Sequence, residues 1–223
     1  MLFKKFFVIL ILITVPVYLF SYGVADYFGH CNLSIGPNLW LGGDRTSNDD
    51  VTALNFSSNR KNHYTFYFDS SAIEQKAAGA AFNLRFPFYY NDLFSLGPNM
   101  EICGNAEIMQ ANFGLYFNYH FTEIWSAVAD SGCALTAYDQ VIGSVGGKDI
   151  KVSALGPSFT AGLGAKFHIT EYFYLEAGYR FVWAPDLGYY TVYHDKDDLG
   201  EPKIPSISIN HSNHFSIKIG IGI

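Results

Sequence analysis

Over Leu155 to Ile169 every second residue is apolar (Leu155, Pro157, Phe159, Ala161, Leu163, Ala165, Phe167, Ile169), and the residues between are small, polar or charged. A period of two marks a strand with unlike faces, because successive side chains point to opposite sides of a sheet. The alternation resumes after His168-Ile169-Thr170-Glu171, with Phe173, Leu175, Ala177, Tyr179, Phe181 and Trp183 opposing Tyr174, Glu176, Gly178, Arg180 and Val182. The two runs predict a hairpin. Each is longer than the ~5 to 6 residues usual in soluble sheets and matches the ~9 to 11 residues that a tilted strand needs to cross a bilayer. A broad aromatic face opposite a charged one predicts a transmembrane barrel, with lipid outside and polar groups within.

The same pattern recurs in Cys31 to Leu41, Ala78 to Phe88, Ser95 to Ile102, Asn112 to Phe121 and His214 to Ile223. Trp125 to Thr136 is ambiguous, because Ala127, Val128, Ala129 and Ala134 leave its apolar face undecided. An even, closed barrel requires it as the fifth strand. The predicted fold is all-β: an antiparallel up-and-down barrel of eight strands occupying residues 26–223. Short turns fall near Asn91, Thr122-Glu123 and Thr170-Glu171, and long connections at 42–76, 138–152 and 185–212. The first long connection contains Val51 to Phe56 and His63 to Phe68, which form either a hairpin above the membrane or two further strands, giving ten. Tyr90, Phe121, Trp125, Tyr172 and Phe173 crowd the short turns, as an interfacial aromatic girdle on the periplasmic side would.

Lys4 and Lys5, the apolar run Phe6 to Phe20 and the small residues Gly23 and Ala25 read as a secretory signal, residues 1–25. Cleavage is expected after Ala25; Ser21-Tyr22-Gly23 offers a second site, and an uncleaved anchor helix is the alternative. With Lys4 and Lys5 removed, 12 Lys and Arg oppose 20 Asp and Glu, a net charge of −8. So acidic a chain is a poor partner for nucleic acid. Export to a lipid-facing barrel makes outer-membrane lipids and the barrel-assembly machinery the expected partners.

An eight-stranded barrel encloses little more than its own inward side chains. Those predicted to point inward include Arg85, Glu101, Lys166, Glu176, Arg180 and Lys218, with Asn83, Asn99, His120 and His168. Strand pairing sets Arg85 opposite or diagonal to Glu101 and Lys166 diagonal to Glu176. Because an unpaired buried charge is costly, these groups are expected to form an ion-pair network filling the lumen. The competing reading is an ion pathway, with Gly156, Gly162, Gly164, Gly178, Gly220 and Gly222 leaving space. His214 and Ser216 share a face, but neither an orienting acid nor the spacing of a lipid-deacylase motif accompanies them, so no catalytic residue is assigned. Asp195, Asp197, Asp198 and Glu201 resemble a calcium loop except that Leu199 stands where an oxygen ligand is needed. No metal or cofactor is expected. Cys103 and Cys133 fall toward the outer ends of their strands, where they could pair.

The signal, the eight amphipathic strands and the stretch YFYLEAGYRFVW together resemble the eight-stranded outer-membrane barrels of the outer-membrane protein A, X and W type. The likeness covers the mature chain in pattern and Leu175 to Phe181 in residues. One departure is the terminal Ile223, where such barrels usually end in an aromatic. The resemblance implies a plugged barrel acting through its long outer loops in surface interaction, adhesion or membrane integrity. Its alternatives are a narrow channel for small or hydrophobic solutes, as in the W type, and, more remotely, a lipid-modifying enzyme.

Overall fold

A computed structural model describes residues 31–46, 51–57, 63–69, 76–145, 147–187, 189–193 and 207–222. The strands are β1 (Asn32–Thr46), β2 (Val51–Ser57), β3 (His63–Asp69), β4 (Ala77–Arg85), β5 (Tyr89–Tyr90) and β6 (Phe94–Gly104), followed by β7 (Ile108–His120), β8 (Trp125–Val145), β9 (Lys148–His168), β10 (Phe173–Leu187), β11 (Tyr189–Tyr193) and β12 (Ile207–Gly222). Neighbours pair antiparallel in the order β1, β4, β6, β7, β8, β9, β10, β12, and β12 returns to β1. Closure leaves no edge, so every crossing strand satisfies its backbone within the barrel. Among the described residues β2 and β3 pair only with each other. The barrel therefore has eight strands, not ten, and the first long connection carries the separate hairpin. The predicted signal segment, residues 1–25, lies outside the described residues.

The period-two code sets the two faces. Ile35, Leu163, Ile217 and Ile219 stand outward, Leu163 at 69% exposure, while Asn83, Arg85, Lys166 and Lys218 are buried inside. In water so large an apolar surface would mark an interaction site; around a closed barrel it is the surface that lipid covers.

Each short turn is locked by a side chain that caps its backbone. Asn91 Oδ1 accepts from the Leu93 and Phe94 amides at 2.9 and 2.7 Å. Thr122 Oγ1 accepts from Ile124 and Trp125, and Thr170 Oγ1 accepts from Tyr172 and Phe173. The similar segments HFTEIW and HITEYF thus share one turn chemistry.

Three boundaries differ from the sequence reading. The run Ala78 to Phe88 loses regular strand geometry after Arg85, around Pro87, although the Phe86 and Phe88 amides still donate to the carbonyls of Pro98 and Leu96 at 3.1 and 3.0 Å, and regular pairing resumes at Tyr89 and Tyr90. Residues 138–152, expected as a loop, instead continue β8 and β9 into one long hairpin. The last connection also shortens, with β11 pairing along β9 and β12 beginning at Ile207. In β9 the reason is visible: Ile150, Val152 and Ala154 are buried while Asp149 and Lys151 are exposed, so the apolar face lies inward. From Pro157 to Phe167 it lies outward. The strand leaves the lipid near Leu155, and its pattern inverts there.

Candidate functional site

The lower lumen, toward the short turns, holds seven charged side chains from six strands. Glu176 on β10 lies directly opposite Lys166 on β9 and Lys218 on β12. Its carboxylate accepts from both terminal nitrogens of Arg85, with Nη2 to Oε1 at 3.0 Å, and lies 3.0 Å from Lys218 Nζ. Glu101 binds Arg180 and receives Lys218 Nζ at 2.9 Å. Asp130 takes Arg180 Nη2 at 2.8 Å and lies 3.7 Å from Arg85. Lys218 therefore bridges the two glutamates, and Asp130 bridges the two arginines. Forked guanidinium contacts of this kind fix geometry as well as charge.

The predicted register holds for one pair, which nevertheless finds another partner, and needs correction for the other. Arg85 lies opposite Asn99, diagonal to Glu101, but its acid is Glu176 across the lumen. Lys166 is opposite Glu176, not diagonal, and remains 4.0 Å from it. The long guanidinium of Arg85 spans the narrow barrel, so cross-lumen partners win over strand neighbours.

Asp130 escaped the sequence reading because its strand's apolar face was undecided. Trp125 and Leu135, both odd-numbered and outward, place Asp130 inward, and a carboxylate facing lipid would be penalised. Two of the inward glycines leave no open space. A Cβ at Gly220 would overlap the Tyr174 ring, and one at Gly162 would meet the Asp130 carboxylate at 2.8 Å, so each absent side chain houses a neighbour's. Within the network a void of about 20 Å³ remains, room for a single water.

Above the charges lies a layer of amides and hydroxyls. Gln110 Nε2 donates to Thr136 at 3.1 Å, Thr136 and Ser158 are 2.7 Å apart, and Thr160 donates to Asn112 at 2.9 Å. Higher still the interior becomes apolar, formed by Trp40, Ile108, Tyr138, Ile150, Val152, Ala154, Ala184, Leu187 and Ile209. Phe66 of β3 packs on this cluster, which joins the outer hairpin to the barrel. The lumen is thus filled by ion pairs below and by apolar side chains above.

Neither a protein-family model nor a curated protein sequence matches the chain. Among solved structures it is similar to the attachment invasion locus protein Ail of Yersinia pestis, at 12% identity and a TM-score of 0.45, covering 87% of this chain and 99% of that one. It is also similar to Neisserial surface protein A, at 10% identity, TM-score 0.44 and coverage of 87% and 97%. The outer membrane protease OmpT of Escherichia coli gives 7% identity, TM-score 0.47 and the same coverages. At such values the likeness assigns no function, and the barrel itself rests on its own strand pairing.

Asn38 Nδ2 donates to His214 Nδ1 at 3.2 Å, and the imidazole lies edge-on to Trp40, their ring centroids 4.2 Å apart. Cys103 is buried and Cys133 exposed; both are free thiols. They sit on opposite faces of the wall, which rules out the disulfide their strand positions allowed. The acidic stretch from Asp195 to Glu201 lies outside the described residues. Of the predicted girdle, Tyr90, Phe121, Trp125, Tyr172 and Phe173 all stand exposed at the short-turn end.

Proposed function

We propose that this chain is a closed outer-membrane barrel of the outer-membrane protein A, X and W type, exported by its N-terminal signal, that displays surface segments and stabilises the membrane without conducting. The observation that carries the reading is the doubly filled lumen: a paired charge network below and a buried apolar cluster above, at the end where the long connections emerge. Termini and short turns face the periplasm, and the aromatic residues around those turns anchor the barrel at that interface. The long connections face outward, where loops on a rigid scaffold commonly bind partners. A host or surface ligand is their natural occupant.

Surface proteolysis of intact cells tests this. A protease should cut the connections between β1 and β4 or between β11 and β12 while the crossing strands stay protected. Full protection, with the protein recovered from the inner membrane, would contradict it.

A further inference from the structure

Below the network, between the short turns, the lumen opens into a vestibule of about 350 Å³ whose lining includes Asn32, Asn118, His120, His168, Glu171 and Tyr174. Three features of this space are unlike the sealed lumen above it. First, four cations (Arg85, Lys166, Arg180, Lys218) meet three carboxylates (Glu101, Asp130, Glu176) in the network, leaving one positive charge in excess. The excess localises on Lys166, whose one acid stands at 4.0 Å and is already held closer by Arg85 and Lys218. Lys166 is 1% exposed and turns toward the vestibule, with Nζ 3.2 Å from Asn32 Oδ1 and 4.4 Å from the centre of the Tyr174 ring.

Second, two histidine rings 6.0 Å apart border the same space, His120 bonded through Nε2 to Asn118 at 3.1 Å and His168 through Nε2 to Ser126 at 2.8 Å. With Nε2 anchored, each ring keeps its second nitrogen for another partner. Third, the Tyr174 hydroxyl is buried beside the Ser34 hydroxyl, with no other partner among the described residues. One bond between two hydroxyls uses one of their two protons and leaves the other to donate to a further acceptor.

We propose that the vestibule binds a small oxyanion of the phosphate class, reached from the short-turn side. The Tyr174 hydroxyl and the histidine ring nitrogens donate to it, and Lys166 supplies the attracting charge from behind. Glu171 at the rim opposes the anion and limits its affinity. The anion is either free phosphate or the phosphate of a lipid headgroup.

The test is a titration of inorganic phosphate into the folded barrel in a phosphate-free maltoside detergent, read by nitrogen-15 NMR of labelled histidines. Saturable shifts are expected at His120 and His168, with His211, outward on β12, unmoved. Lys166→Met should weaken binding about tenfold or more, equivalent to ~1.4 kcal/mol. Glu171→Gln, at an exposed position where folding is safe, should tighten it. If the source is a headgroup, vesicles of phosphatidylglycerol should move the same two signals and abolish the response to free phosphate, whereas phosphatidylcholine vesicles should not. If it is free phosphate, the response should survive in both. Absence of saturation, an equal response to chloride, or an unchanged affinity in Glu171→Gln would overturn the site.

Discussion

The lower and upper halves of the lumen fill the same cylinder by opposite means. Below, Arg85, Glu101, Asp130, Glu176, Arg180 and Lys218 are held by ion pairs while the outer surface is hydrocarbon; above, Tyr138, Ile150, Val152, Leu187 and Ile209 are packed as in a soluble core. The difference follows from what surrounds the wall. Where lipid covers the outside, apolar residues are spent there and the inside takes the polar ones. Where water covers it, the hydrophobic effect pulls the apolar face inward. One chain thus switches from an inverted to an ordinary protein interior along a single strand, with Leu155 of β9 at the changeover.

The two halves should fail differently. Glu176→Gln leaves Arg85, Lys218 and Lys166 without their shared acid in a space with little water, and should cost on the order of 3 to 5 kcal/mol by urea unfolding in lipid vesicles. Stability equal to wild type would show that the lower half is wet. Leu187→Ala opens a cavity in the upper half and should cost roughly 2 to 4 kcal/mol in the same assay, without dependence on salt. A loss below about 1 kcal/mol would mean that the outer cluster is loosely packed. Lys166→Met removes the surplus cation and should stay within about 1 kcal/mol of wild type, which separates charge balance from simple loss of a buried group. Asp92→Asn, exposed in the first short turn, should change stability by no more than about 0.5 kcal/mol.

Much of the lower half was legible in the sequence because a lipid-facing strand has a strict code. Alternation placed Lys166, Glu176, Arg180 and Lys218 inward, and the threonines and Asn91 marked the turns. Pairing across the lumen was not legible, since strand register fixes neighbours but not which acid a long arginine reaches. Asp130 was hidden by alanines on both faces of its strand. The upper half was missed for a physical reason: beyond Leu155 the apolar phase inverts, so a search for outward apolar residues reads Ile150 and Val152 as loop.

Ionic current through the purified barrel in planar lipid bilayers tests whether two independent seals close the lumen. The wild type should stay at the baseline under steady voltage. Glu176→Gln should stay there too, because the apolar half remains shut. Reproducible unitary steps in the wild type, altered when Lys166 or Arg180 is neutralised, would contradict the account and make the lower lumen an ion pathway.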